Sequence, residues 1–224
     1  MPQQEVLVPQ QEVLVKATAR KPTADDVKAQ IEAQLQAALE TALTSARPEV
    51  AEPLYWWNVF GFGPIQPGAG ITSISGFNPP LLPNQVIRAG EQAYVASIIV
   101  LNPFIIPGGA PPTPCEILQT FALPYEINFQ MANLTSWTAA GILTSAGSFV
   151  PGGPCFYVNL ITLPAQPPGL YEMNITARIF GAGGNPAPPF SGFAKSVRDL
   201  DEDLFMATGP QWRIDHPIRY QVYA

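Results

Sequence analysis

Residues 125–131 read YEINFQM, and every second residue from Tyr125 to Met131 is apolar while the residues between them are polar. This period of two is typical of a β-strand with one face against a core and the other in solvent. Upstream, residues 91–103 read EQAYVASIIVLNP. That almost unbroken apolar run predicts a central strand of the same domain.

Further short apolar runs are separated by loops rich in proline and glycine, of which the chain has 26 and 18. Such residues mark turns between strands, and no helical period occurs after Ala46. We therefore predict an all-β domain over residues 48–224, folded as a sandwich or jelly roll. The other predicted strands are residues 54–62, 71–77, 85–88, 116–123, 156–163, 170–180, 190–196 and 212–223.

Residues 22–47 are predicted to form one amphipathic helix. Asp25 and Asp26 favour the positive end of the helix dipole, and Pro48 ends the pattern. An apolar side chain recurs every four residues, and the resulting stripe must lie against something. Its partner is either the chain's own β-domain or the same helix in other copies. The stripe consists of Val27, Ile31, Leu35, Leu39 and Leu43.

Residues 1–21 are predicted to form an extended arm, in which PQQEVLV occurs at residues 2–8 and again at residues 9–15. Two copies are too few for a solenoid. One interpretation is an unstructured terminus. The other is a tail that adds as a strand to the sheet edge of a neighbour through main-chain hydrogen bonds. The side chains available for that contact are Val6, Leu7, Val8, Val13, Leu14 and Val15.

The aromatic residues Tyr55, Trp56 and Trp57 open the β-domain. They are expected to pack in the core or in an interface with a partner. Exposed indole rings also stack on sugars, and with Trp137 these residues form the candidate platform of a binding module.

Three segments resemble immunoglobulin-like domains of the bacterial and phage kind. Residues 88–91 (RAGE) lead into residues 94–103 (YVASIIVLNP) like the Gly-Glu approach to the second core strand. Residues 168–171 (PGLY) are similar to the PGxY entry of a later strand. The resemblance spans residues 83–224, with residues 213–223 as the last strand. It implies an immunoglobulin-like sandwich in which Tyr171 fixes a corner by bonding back to the backbone.

The sequence contains no recognisable catalytic motif. His216 is the only histidine, and the chain has no G-x-S-x-G elbow. Two cysteines and one histidine, widely separated, form no zinc ligand set. We therefore expect no enzyme, no cofactor and no metal. Residues 199–203 (DLDED) fail as an EF-hand because Leu204 stands where glycine is needed, which leaves a looser calcium site or a solvated turn.

The two cysteines follow similar loops, GGAPPTPC ending at Cys115 and GGPC ending at Cys155. This context could place them close enough to bridge. Because the amino terminus has no basic segment before an apolar core, we expect no ordinary secretory signal and favour free thiols.

The net charge of −6, without a Lys/Arg cluster, argues against nucleic-acid partners. No run of about 20 apolar residues predicts a membrane span. We hypothesise a non-enzymatic structural subunit of a protein assembly, a homo-oligomer or a capsid or filament lattice, such as a virion decoration or cement protein. It would be made in the cytoplasm and reach a cell surface only by a non-classical route. The alternative is a carbohydrate- or protein-binding adhesion module.

Overall fold

The structure is a computed structural model that describes residues 22–45, 55–67, 82–105, 110–181, 186–206 and 217–224. The helices are α1 (Ala24–Ser45), α2 (Pro114–Thr120) and α3 (Asp203–Met206). The strands are β1 (Trp57–Ile65), β2 (Val86–Arg88), β3 (Tyr94–Leu101), β4 (Pro124–Asn133), β5 (Thr138–Ser148), β6 (Phe156–Thr162), β7 (Gly169–Phe180), β8 (Pro186–Phe193), β9 (Lys195–Val197) and β10 (Ile218–Tyr223).

The strands form two mixed sheets around an apolar core, so the domain is an all-β sandwich. One sheet has the order β6-β3-β1-β9. The other has the order β2-β10-β7-β4-β5, with β8 also paired to β7. β10 pairs with the first part of β7 and β8 with the last part. Neighbouring strands are antiparallel except for β9 beside β1 and β2 beside β10.

Strand β3 lies inside the four-stranded sheet and is buried along its whole length. Val95 and Ile99 belong to the core between the sheets, whereas Tyr94 and Ile98 belong to a second core on the opposite face. In a strand that is covered on both faces, an apolar residue is buried, and so stabilises the fold, at every position. The predicted central strand is confirmed, and the second core explains why its sequence lacks polar alternation.

Helix α1 supplies the cover of that second core, because its apolar stripe packs on the outer face of the four-stranded sheet. The partner of the stripe is therefore the chain's own domain. Leu43, at the end of the stripe, is 51% exposed and lies outside this contact. The stripe residues buried in the contact are Val27, Ile31, Leu35 and Leu39.

Two predictions about helices are wrong: residues 116–123 are not a strand, and helices do occur after Ala46. Pro114–Thr120 is helical because its first turn is capped locally. The Glu116 backbone N–H donates to Thr113 Oγ1 (3.3 Å), and the Thr113 backbone N–H donates to Glu116 Oε2 (2.7 Å). This reciprocal capping box satisfies donors that a strand would need a neighbour to satisfy. α3 adds a further single turn at Asp203–Met206.

The expectation of free thiols is also wrong, because Cys115 and Cys155 form a disulfide with their Cα atoms 5.7 Å apart. Cys115 lies in the first turn of α2 and Cys155 directly before β6. The cap of α2 and the pairing of β6 with β3 bring two residues 40 positions apart into bonding range. The bridge ties the loop before β4 to the four-stranded sheet.

The predicted strands at residues 85–88, 156–163 and 170–180 match β2, β6 and β7 closely. The strand predicted at residues 190–196 covers the end of β8 and the start of β9. β5 was not predicted. Residues 71–77, His216 and the arm at residues 1–21 lie outside the described residues.

A group of buried tyrosines joins the start of β7 to β10. Tyr171 Oη donates to the Pro167 carbonyl oxygen (2.9 Å), which is the corner bond expected for this residue. Tyr171 stacks on Tyr220, with ring centroids 5.6 Å apart. Tyr220 Oη in turn donates to Gln166 Oε1 (3.0 Å). Both rings are thus anchored to the same loop.

Burial raises the pKa of Tyr220 to about 12; the hydrogen bond to Gln166 lowers this pKa and the neighbouring Tyr171 raises it. In the unfolded chain a tyrosine ionises near pH 10. Between these values the folded state holds a proton that the unfolded state has lost, so stability falls as pH rises. We expect Tyr220 to lower the free energy of unfolding by about 1 kcal/mol between pH 9 and pH 11. Urea unfolding across this range should show a shallower fall in Tyr220→Phe, and equal slopes would contradict the assignment.

Candidate functional site

No Asp, Glu, Lys, Arg or His occurs between Glu126 and Glu172, although 12% of the chain is charged. This segment contains β5 and β6, which are the outermost strands of their sheets on one side of the sandwich. We call β5, β6 and the residues that join them the uncharged flank. Two edge strands on one side of the domain, one from each sheet, therefore carry no formal charge of their own.

Strand β5 is the longer of the two edges, with 11 residues. It pairs with β4 from Thr138 to Ser148, and within the described chain no strand pairs with its other edge. Proteins protect free edges with charges, prolines or very short strands. β5 has none of these three features, and its pairing with β4 is regular from Gly141 to Ser148. On the opposite side, β2 and β9 are only three residues each, and β8 contains three prolines.

The small residues of β5 make room for aromatic rings. A Cβ on Gly147 would lie 2.5 Å from Tyr125 Oη, so only glycine fits opposite that ring. Tyr125 packs against Phe149 with ring centroids 5.2 Å apart, and Phe149 packs against Tyr157 at 5.0 Å. The apolar surface under β5 comes from these neighbours. This is why β5 has almost no apolar alternation of its own.

Exposed apolar side chains lie along and beyond β5. Ile142, in its middle, is 64% exposed, and Trp137, just before it, is 86% exposed. Beyond its other end, Phe121 and Val150 are also exposed. Isolated exposed apolar residues are ordinary, but a series beside an unprotected strand edge makes the uncharged flank the candidate contact surface.

Trp137 is presented by an ordered hairpin. Its backbone has φ of 56°, a conformation that is uncommon outside glycine and that surrounding structure must support. Asn133 Oδ1 accepts from the backbone N–H groups of Thr135 (2.9 Å) and Ser136 (3.1 Å). The Leu170 N–H donates to Thr135 Oγ1 (2.8 Å), which ties the hairpin to β7. The indole therefore projects from a fixed turn.

The aromatic residues Tyr55, Trp56 and Trp57 do not form one exposed platform. Tyr55 Oη donates to the Phe205 carbonyl oxygen (2.6 Å), and burial raises the pKa of Tyr55 well above its usual value. Trp57 is half-buried with its ring against Gly192. Trp56 remains exposed. Two of the three rings thus serve the domain itself.

The helix residues proposed for partner binding are also mostly used within the domain. Val27, Ile31, Leu35 and Leu39 are buried against the domain, so only Leu43 of that stripe presents a largely exposed side chain. The arm residues Val6, Leu7, Val8, Val13, Leu14 and Val15 lie outside the described residues. No single motif predicted β5 or marked the predicted strand β6 as part of a functional surface; the charge-free interval around them was the available signal.

A cleft of about 860 Å³ lies on the opposite side, between β2 and β9. Its lining includes Arg198, Asp199 and Asp201, and among the described lining residues there is no histidine or cysteine. No three His, Cys, Asp or Glu side chains come together as metal ligands within the described ranges, which include residues 199–203. No described helix is long and apolar enough to cross a membrane.

Neither a protein-family model nor a curated protein matches this sequence. The chemistry of the uncharged flank is therefore the main guide to function.

Proposed function

We propose that this protein is a non-enzymatic structural subunit of a protein assembly, in which the uncharged flank is buried against other protein subunits. The observation that carries the proposal is the long, uncharged and unpaired edge of β5. A free edge of this kind invites pairing with another chain. In an assembly that pairing is the function, and the edge needs no protection.

The distribution of charge supports this role. Charged residues are depleted at the centres of protein interfaces, because each buried charge loses hydration that a partner must replace. The uncharged flank has no charged side chain whose hydration a partner would need to replace. The net charge of −6 resides in other parts of the chain, where it favours solubility of the free subunit.

The proposal includes an immunoglobulin-like form of the sandwich. Taking β3, β4, β6, β7 and β10 as strands B, C, E, F and G, strands B and E share one sheet and strands C, F and G the other. The bond from Tyr171 to Pro167 stands at the start of strand F. The disulfide differs, since it joins α2 to the start of β6 rather than strand B to strand F. A jelly roll is the alternative.

We propose that the assembly is a virion and that this protein is a decoration or cement subunit of it. A contact between two different surfaces of identical subunits repeats from copy to copy, producing rings, filaments or lattices. A capsid lattice or filament uses such a contact in every subunit. The low charge content and the uncharged edge of β5 suit a subunit whose surface is covered by neighbouring subunits.

The test is the solution mass of the full chain by size exclusion with light scattering. We expect a defined oligomer with a mass several times 24.1 kDa. Ala146→Lys, which places a charge on β5, should shift the population toward the monomer. Ala37→Lys, at an exposed alanine of α1, is the matched control and should keep the oligomer. A monomer at every concentration would contradict the proposal.

A carbohydrate- or protein-binding adhesion module is the second candidate, and the observation that favours it is the exposed indole of Trp137. Sugars stack on such rings. A sugar titration followed by tryptophan fluorescence separates the two functions. Saturable quenching that disappears in Trp137→Ala would support the module, whereas no response would favour assembly.

A further inference from the structure

We propose that one PQQEVLV repeat from the arm of a neighbouring copy adds as an extra strand to the free edge of β5. The inference rests on the proposed assembly function and names its contact. It joins two features that remain unexplained: an apolar repeat at residues 2–15 and an unprotected edge on the opposite sheet from α1.

The lengths of the two segments match one repeat to one edge. At about 3.3 Å per residue, a seven-residue repeat spans roughly 23 Å and the 11 residues of β5 roughly 36 Å. Both repeats together would span roughly 46 Å and overrun the edge. A single repeat, with room for adjustment of register, fits within β5.

The odd number of residues in the repeat also indicates that one repeat binds one edge. In an extended strand Val6 and Val8 share one face, and Leu7 lies on the other. Because seven is odd, Val13 and Val15 would fall on the face opposite to Val6 and Val8 in one continuous strand. Pro9 also lacks a backbone N–H, so it weakens the ladder between the repeats. Each repeat is therefore a separate and equivalent donor unit.

The faces of the acceptor strand are suited to this donor. On one face of β5, Leu143 is half-buried and packs against the core between the sheets, beside the edge that an added strand would extend. Paired valines of a repeat would prolong that apolar layer. On the other face, Ile142 and Ala146 are exposed, and Leu7 of the same repeat would join them. The uncharged edge imposes no repulsion on Glu5 or Glu12 of the arm.

The attachment point leaves the arm enough reach. The structure describes the chain from Pro22, and residues 16–21 separate this point from the second repeat. Six residues span up to about 20 Å. This linker can hold the repeats away from α1, and two repeats in one arm allow either to engage a neighbour.

Cross-linking between two full-length variants tests the contact. The described chain has no free cysteine, and its two cysteines are bonded to each other, so an introduced thiol is unique. Ala146→Cys is mixed with Leu7→Cys, or with Leu14→Cys, and treated with a short bis-maleimide. We expect a linked two-chain species in both mixtures. Ala37→Cys on α1 replaces Ala146→Cys as the matched control and should give none.

Light scattering of variants with substituted repeats tests whether either repeat alone is sufficient for self-association. Val6→Ser with Val8→Ser, or Val13→Ser with Val15→Ser, should retain the oligomer because one repeat is intact. All four substitutions together should weaken self-association by more than about tenfold, because whichever repeat engages the edge then lacks both of its valines. If the fourfold variant is still an oligomer, the arm contact is wrong but the proposed assembly function stands. Links between two Ala146→Cys chains, with no link between an Ala146→Cys chain and an arm-cysteine chain, would also overturn the arm contact. A wild-type monomer overturns the assembly function as well.

Discussion

Replacing both Cys115 and Cys155 by alanine is expected to lower the free energy of unfolding by about 4 kcal/mol. The disulfide closes a loop across a sequence separation of 40 residues. Without it the unfolded chain gains the entropy of that open loop, and the stabilisation of the folded state is lost by the same amount. Cys115 is also buried, so its truncation leaves a small space beneath α2. Guanidinium unfolding of the double variant and of the wild type measures the difference.

Reducing agent is the control for this prediction. Dithiothreitol present throughout unfolding should lower the midpoint of the wild type toward that of the double variant and leave the double variant unchanged. If reductant and substitution both leave the midpoint where it was, the bridge contributes nothing measurable. The predicted effect is a large fraction of the stability of an ordinary domain, commonly 5–15 kcal/mol.

Leu35→Ala is expected to destabilise the protein by about 3 kcal/mol. Leu35 is fully buried between α1 and the outer face of the four-stranded sheet. Its truncation removes apolar contacts and leaves a cavity where the helix and sheet meet, because neither can close fully around the gap. Urea unfolding monitored by circular dichroism gives the free energy.

Leu43→Ala is the matched control, since both leucines belong to α1 and to the same sequence stripe. Leu43 is 51% exposed, and its truncation should change the free energy of unfolding by less than about 0.5 kcal/mol. Equal losses in the two variants would mean that the stripe is buried along its whole length, for example against another copy. A loss only in Leu35→Ala supports docking of α1 on its own domain.

Docking of α1 changes where an assembly contact can lie. The helix covers the outer face of one sheet and so removes that face from partners. On the uncharged side of the sandwich, the edges of β5 and β6 remain. The arm and helix therefore have different proposed roles, although they are adjacent in sequence: the helix completes the subunit, and the arm reaches a neighbour.

Local pattern alone was enough to predict several elements. The alternation from Tyr125 to Met131 reports β4, because period two matches the side-chain geometry of any strand with one buried face. The four-residue spacing from Val27 to Leu43 reports α1 for the corresponding reason. The interval without charge between Glu126 and Glu172 was likewise present in the sequence. Its meaning required knowing that β5 and β6 form neighbouring edges.

Tertiary structure decided what depends on contacts between distant residues. Cys115 and Cys155 bridge because α2 and β6 are brought together from positions 40 residues apart. β5 is a strand through its pairing with β4, and Gly147 is required there by the ring of Tyr125. The stripe of α1 is complementary to its own sheet, although the same stripe would suit a bundle. Periodicity records that a face is buried, but only the folded chain determines what buries it.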